Sequence, residues 1–298
     1  MSLKGDETMS RKITSADKKI IQLPDGRDLS YLEYGSNEGS VLILIHGTPF
    51  SSLMWKDIDG IKGSKYRIIA VDRPGYGHST YNINGALENF PEDLKHLIRH
   101  LNLKSVSLAG VSGGGPYVLQ CALKIPELLE KVGIISSVGP YEKDAIGDMN
   151  ANKNLYKLAR IVPGIIAFQN QQIYKMIQKD PLKFISLGKK KLAGKDLEFI
   201  ERKGFAESLA DSYADGCRQK SSTKRNPMTD DIFYTANWQI PLQDIKKEIY
   251  IFWGDKDRSI GNQCKYMAEL IPNAHEFIFK GEGHFLVYES MNEILENF

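Results

Sequence analysis

Three cysteines in 298 residues, Cys121, Cys217 and Cys264, are too few and too scattered for a disulfide framework or a paired-cysteine zinc site. They read as buried thiols in a reducing compartment. A dominant charge is also missing. The 39 Lys and Arg against 37 Asp and Glu leave a formal +2, too little for a surface that tracks nucleic-acid phosphates or an anionic membrane. No run approaches the ~20 apolar residues that cross a bilayer. The longest are Val41–Ile45 and the proline-interrupted Ile161–Phe168, so no membrane insertion is expected. The opening MSLKGDETMSRK lacks the apolar core of an export signal, which points to the cytoplasm, and Met9 is a second candidate start that would make residues 1–8 non-native. The composition, 42% hydrophobic and 26% charged, is that of a globular chain with a sizeable core.

What the chain does contain is a repeating order of short apolar runs. Ile20–Leu23 and Leu29–Tyr34, separated by the turn Pro24-Asp25-Gly26-Arg27, predict an antiparallel hairpin. Val41–Ile45, Arg67–Val71, Ser105–Ala109, Val132–Ser136, Ile249–Trp253 and Glu276–Phe279 follow, with helical patterns such as Glu88–Leu101 and Pro116–Lys124 between some of them. Strands alternating with helices imply right-handed crossovers and a mostly parallel, doubly wound sheet of about eight strands, an α/β fold. From about Tyr141 to Ile240 the strands stop. Amphipathic patterns at Asn154–Arg160, Gln172–Lys179 and Leu197–Asp215, broken at Pro163-Gly164 and Asp180-Pro181, predict a helical insertion over 141–240 in a core of 1–140 and 241–298. The lysine-rich stretch Lys179–Lys195 within it reads as a solvated helix face.

The chemistry is written at Gly110-Val111-Ser112-Gly113-Gly114, a G-x-S-x-G pentapeptide that follows a predicted strand and precedes a predicted helix. The tight strand-to-helix turn needs Gly110 and Gly114, and it would hold the Ser112 hydroxyl out beside a helix N-terminus. A serine needs a base, and the base needs an anion to fix its tautomer. Of six histidines, His46 ends a buried strand, His78 lies in the Asp72–Thr80 loop, His96 and His100 share a helix, and His275 precedes a strand. His284, after Gly281-Glu282-Gly283 beyond the last strand, is the candidate base. Asp257 in Trp253-Gly254-Asp255-Lys256-Asp257 is the candidate acid, with Asp255 the rival, read as a turn residue bonding its own backbone. Oxyanion donors are expected from the N–H of Gly113 and from the loop His46-Gly47-Thr48-Pro49, where Pro49 has none; Thr48 is the choice and Phe50 the alternative. The glycines after Ser112 lack the Lys-Ser/Thr of a phosphate loop and the spacing of a dinucleotide fingerprint.

Taken together, HGTP at 46–49, DRPGYGHS at 72–79, GVSGG at 110–114, WGDKD at 253–257 and GEGH at 281–284 resemble the α/β-hydrolase fold superfamily, in its lid-bearing branch, from about Ile20 to Phe298. The resemblance implies that the 141–240 insertion is a cap, that the substrate pocket lies between cap and core, and that the Asp72–Ser79 loop is structural, giving Arg73 and His78 no catalytic role. Ser112 stands where the dehalogenases and epoxide hydrolases of this fold carry an aspartate, and Gly113 and HGTPF depart from the iminopeptidase pattern. What the resemblance leaves is a serine hydrolase acting on a small or medium, largely apolar carboxylic ester, thioester or lactone, with no cofactor and no metal, as a monomer or homodimer. A C–C bond hydrolase, an aminopeptidase, or a small-molecule receptor that keeps the triad are the alternatives. Tyr156, Phe168, Tyr174, Phe184, Phe199 and Phe205 are the aromatic candidates for the pocket lining or for a core within the cap.

Overall fold

The residues of Val41–Ile45 alternate between two covered faces. Ile43 and Ile45 enter one core, Leu42 and Leu44 the other, and all four are fully buried. A strand covered on both sides has no polar face to alternate with, which is why it is written as one continuous apolar run. In the computed structural model, which describes residues 13–147, 149, 152–190, 192, 194–219 and 226–298, it is the third of eight strands. They are β1 (Lys19–Gln22), β2 (Asp28–Gly35), β3 (Val41–Ile45), β4 (Arg67–Val71), β5 (Val106–Val111), β6 (Leu129–Ile135), β7 (Ile249–Gly254) and β8 (Ala274–Phe279). The sheet order is β1-β2-β4-β3-β5-β6-β7-β8; β2 runs antiparallel to β1 and β4, and every other pairing is parallel. After β4 the chain crosses back over β3 to lay down β5, so the winding reverses between β3 and β5. The crevice at the carboxyl ends of those two strands is where an open α/β sheet binds its ligands.

The helices are α1 (Asp59–Lys62), α2 (Ala86–His100), α3 (Gly115–Lys124), α4 (Lys143–Ile146), α5 (Lys153–Ile161), α6 (Pro163–Lys179), α7 (Pro181–Lys189), α8 (Gly194–Glu201), α9 (Phe205–Gly216), α10 (Pro227–Ala236), α11 (Gln263–Leu270) and α12 (Leu286–Asn297). Apolar residues of α2, α3 and α11 cover the sheet face of Ile43, while α1, α12 and the insertion cover the face of Leu44. The insertion between β6 and β7 has a small core of its own around Tyr141, Met149, Tyr156, Ile166 and Ala236. Its longer helices also bury Tyr174, Ile177, Leu209 and Tyr213 into the core beneath Leu44.

Three expectations change. The pattern over Leu197–Asp215 is two helices, α8 and α9, because Gly204 takes φ +81°, a left-handed conformation that ends the turn. The Gln172–Lys179 pattern is the end of α6, which starts at Pro163, where the missing proline N–H is no loss. His275 lies inside β8 and stacks on Tyr250, since the edge strand begins two residues before the predicted start. The lysine-rich stretch keeps its described lysines at the surface: Lys189, 42% exposed, pairs with Glu201 at 2.8 Å, and Lys195, 44% exposed, reaches the buried Glu282. Residues 1–8 and Met9 lie outside the described residues, as do 191 and 193 of that stretch. No helix of the described residues is long and apolar enough to cross a membrane.

One buried cation ties the amino-terminal arm to both parts of the molecule. The Lys18 ammonium, its side chain 1% exposed, donates to Asp72 at 2.5 Å and to Asp215 of α9. Asp72 also accepts from Ser30 Oγ at 2.5 Å and from the Ser52 amide at 2.7 Å. Removing one partner of such a cluster leaves the others charged and unpaired in a low dielectric. Lys18→Met is therefore expected to lower the unfolding free energy by about 3–5 kcal/mol, read as a fall in the urea midpoint with the m-value unchanged.

Candidate active site

Strand β5 runs directly into Ser112, whose φ of +51° places a non-glycine residue in the left-handed region, and α3 starts three residues later. That turn leaves no space beside it. A Cβ on Gly110 would stand 2.7 Å from Val118 Cγ2 and 2.8 Å from the Gly114 carbonyl oxygen, and one on Gly114 would meet the Ile45 carbonyl oxygen at 2.6 Å. Glycine at 110 and 114 is thus a steric requirement of the close approach of β3, β5 and α3.

Because β7 and β8 are adjacent and parallel, the loops at their carboxyl ends emerge side by side. The structure brings three of the sequence candidates together there. His284 Nε2 lies 3.1 Å from Ser112 Oγ, and His284 Nδ1 lies 2.8 Å from Asp257 Oδ2. Asp257 is buried, and its other oxygen accepts the amides of Ser259 at 2.9 Å and Ile260 at 3.4 Å. The carboxylate accepts only, so Nδ1 carries the proton and Nε2 is left to receive one from the serine hydroxyl. Burial works against a charged imidazole, but the charge and hydrogen bond of Asp257, with the charge of Asp196, outweigh it and raise the His284 pKa above its ordinary 6.5. Asp255 has another task than the expected turn with its own backbone. Its Oδ1 accepts the Gly281 N–H at 2.7 Å and its Oδ2 faces Lys280 at 3.8 Å, bracing the loop that carries His284.

The adjacency of β3 and β5 does the same for the candidate oxyanion donors. A Cβ built on Gly113 would lie 3.4 Å from the Thr48 nitrogen, so the two amides are neighbours. The Phe50 N–H donates to the Gly47 carbonyl at 3.0 Å and is spent in that turn. Thr48 N–H donates in none of the loop hydrogen bonds among the described residues, and Gly113 N–H belongs to the first turn after β5, whose opening amides have no partner within their own helix. His46 braces the loop: its Nδ1–H donates to the Gly47 carbonyl at 2.8 Å and its Nε2 accepts the Arg73 amide at 3.0 Å. Burial, reinforced by the Arg73 charge, holds its pKa well below 6.5, so it stays neutral. His78 pairs with Ser15 Oγ at 2.9 Å, and His96 and His100 lie on α2, away from the array.

Two carboxylates of the insertion were not legible beforehand. Asp196 of α8 accepts the amides of His284 at 3.0 Å and Phe285 at 2.9 Å, just ahead of α12. Burial pushes its carboxyl pKa up against the pull of those two amides. Asp231 of α10 meets Arg73 and Thr48 on the other side of the serine. Of the aromatic candidates, Phe184 packs on Tyr213, which packs on Phe50, and Phe205 contacts Phe285 and Phe199. Tyr156 and Tyr174 are buried in cores, and Phe168 is 66% exposed, so these three are not placed beside the array. Among the described residues no three His, Cys, Asp or Glu side chains converge as metal ligands.

The model of the alpha/beta hydrolase fold matches residues 40–290, and the chain belongs to that family. A dihydrolipoyllysine-residue acetyltransferase component of an acetoin cleaving system from Pseudomonas putida is 26% identical over 277 residues. That match takes in 90% of this chain but 65% of the relative, so the chain spans under two thirds of that protein's length. A putative esterase/lipase of Haemophilus influenzae is 24% identical over 86% of this chain and 80% of its own length. Among solved structures, a bromoperoxidase from Bacillus anthracis superposes with a TM-score of 0.69 at 23% identity, covering 94% of this chain and 98% of that one.

An imidazole that must accept a proton works only when neutral, so turnover is present above its pKa and is lost as pH falls through it. Since Asp257 and Asp196 hold the His284 pKa above 6.5, the acid limb of kcat/KM is expected to inflect above pH 6.5. Asp257→Asn removes the two largest contributions that raise it. The limb should then move to lower pH while kcat falls about 10⁴-fold, both read from one pH–rate profile of the variant.

Proposed function

We propose that the protein is a serine hydrolase of carboxylesterase type, cleaving a small or medium, largely apolar ester, thioester or lactone through an acyl-enzyme. The observation that carries this reading is the line of hydrogen-bonding contacts from Ser112 Oγ through His284 to Asp257, standing at the reversal of the sheet. His284 takes the hydroxyl proton as Ser112 attacks the carbonyl carbon, and Asp257 keeps the imidazole oriented and stabilises its charged form. The N–H groups of Thr48 and Gly113 receive the oxyanion, a pair whose members are typically worth about 3–4 kcal/mol each. His284 then protonates the leaving group, and water activated by the same imidazole releases the acid. This sequence needs no cofactor.

The apolar preference rests on the neighbours of the array. Phe50 beside Thr48 and Phe285 beside His284 both pack against aromatic residues of the insertion. In this reading the insertion over 141–240 is a cap and its inner surface meets the acyl or alcohol group. The esterase/lipase relative, matched over most of both chains, supports the reaction class.

Hydrolysis of p-nitrophenyl esters from acetate to octanoate tests the proposal. Turnover that Ser112→Ala lowers by about 10⁴-fold or more is expected, with a chain-length optimum that sizes the pocket. Faster turnover of vinylogous diketones than of any ester would reassign the protein as a C–C bond hydrolase. Folded wild-type protein that binds a hydrophobic ester yet turns it over no faster than Ser112→Ala would overturn the enzymatic reading in favour of a receptor.

A further inference from the structure

Arg73 is fully buried, and its side chain reaches both loops that carry the oxyanion donors. One guanidinium nitrogen, Nη1, donates to the Gly113 carbonyl at 2.9 Å, and the other, Nη2, donates to Thr48 Oγ1 at 2.8 Å. The guanidinium carbon lies 4.5 Å from the ring centre of Tyr76 and 4.9 Å from that of Tyr117, so aromatic faces hold it in place. A cation so enclosed requires an anion, and the core strands and their loops do not supply it. The anion is Asp231, one turn into α10 of the insertion, whose carboxylate receives Nη1 at 3.0 and 3.1 Å. The same carboxylate accepts Thr48 Oγ1–H and Tyr76 O–H, both at 2.5 Å, and Tyr117 O–H stands 3.5 Å away.

We infer that Asp231 is a positioning residue for the oxyanion hole, contributed by the insertion, that acts through Arg73 and the Thr48 hydroxyl. This rests on the serine-hydrolase reading above. The Thr48 side chain is held from two directions, by the carboxylate it donates to and the guanidinium it accepts from, and this fixes the residue whose N–H faces the oxyanion. The Gly113 carbonyl is held by the same guanidinium, so the spacing between the two donors is set by one rigid, planar group. Without the Asp231 charge the guanidinium has no counterion in a desolvated site and must turn away, releasing both tethers at once. The insertion is then part of the catalytic geometry as well as a wall of the pocket. Donors aimed at a developing charge lose their effect with small displacements, and about 1 Å is enough for a 10²-fold change in rate.

The test is Asp231→Asn, which keeps the shape and removes the charge, with Thr48→Val as a second variant that keeps the branched side chain and removes the hydroxyl. Each is measured for kcat and KM on the best p-nitrophenyl ester and for binding of a trifluoromethyl ketone, which forms an anionic tetrahedral adduct with a nucleophilic serine. Asp231→Asn is expected to lower kcat by about 10²-fold with KM nearly unchanged, and to weaken the ketone by the same factor as kcat/KM. In the double variant the losses should not multiply, because Asp231→Asn has already released the Thr48 tether that Thr48→Val removes. Wild-type kcat and ketone affinity in folded Asp231→Asn, or a loss confined to thermal stability or to KM, would overturn the inference. If Asp231→Asn fails to fold, an unchanged kcat and ketone affinity in Thr48→Val overturns it in the same way. A wild-type protein inert to both esters and ketone would refute the hydrolase reading itself, and the inference with it.

Discussion

The turn at Ser112 is the constraint on which the other features depend. A non-glycine residue at φ +51° is sparsely populated, and it persists only where the surrounding structure determines it completely. Here the surroundings are β3 and β5 in parallel register, α3 starting at once, and two glycines whose missing Cβ atoms let the backbones approach. The turn lifts one hydroxyl above the sheet at the point where the winding reverses, and it turns the Gly113 amide to the same side as Thr48. The remaining loops then need only be attached to neighbouring strands. Asp257 follows β7 and His284 follows β8, and the adjacency of those strands in the sheet makes a pair of residues 27 positions apart into hydrogen-bonding neighbours.

The insertion acts on this arrangement electrostatically. Two of its carboxylates hold the two loops that flank the serine: Asp196 binds the amides at His284 and Phe285, and Asp231 neutralises the arginine beneath Thr48 and Gly113. A third, Asp215, joins Lys18 and Asp72 of the arm and core. Each is a charge placed in a poorly hydrated position, so each is costly unless its partner is in place. The contacts between insertion and core are in this sense conditional on one another. Through these carboxylates α8 touches the loop of His284 and α10 the loop of Thr48 directly.

Much of this was legible in the sequence, and the physical reason is burial. Strands such as β3 and β4, covered on both faces, are continuous apolar runs that no helix of the core resembles. The turn at Ser112 is readable because glycine is demanded twice by sterics at a fixed spacing, and Asp257 and His284 stand out as candidates because each follows a strand by a short loop. β8, an edge strand with exposed alternate positions, was found with a late start that left His275 outside it. In the insertion the helical periods were visible, but periodicity does not say how one helix is rotated against another. Gly204 was the one local signal that the 197–215 pattern is two helices. Nothing in Asn226-Pro227 or in the acidic pair Asp230-Asp231 marks the second carboxylate as the partner of Arg73, because acidic residues are ordinary near the start of any helix.

A serine hydrolase of this geometry must use Ser112 as its nucleophile, and peptide mapping after reaction with a fluorophosphonate tests that most directly. Digestion and tandem mass spectrometry of the labelled protein are expected to place one phosphonyl group on Ser112, with labelling slowed as pH falls through the raised pKa of His284. A stable adduct on another residue, or no adduct on folded protein whose active site is open to the probe, would contradict it.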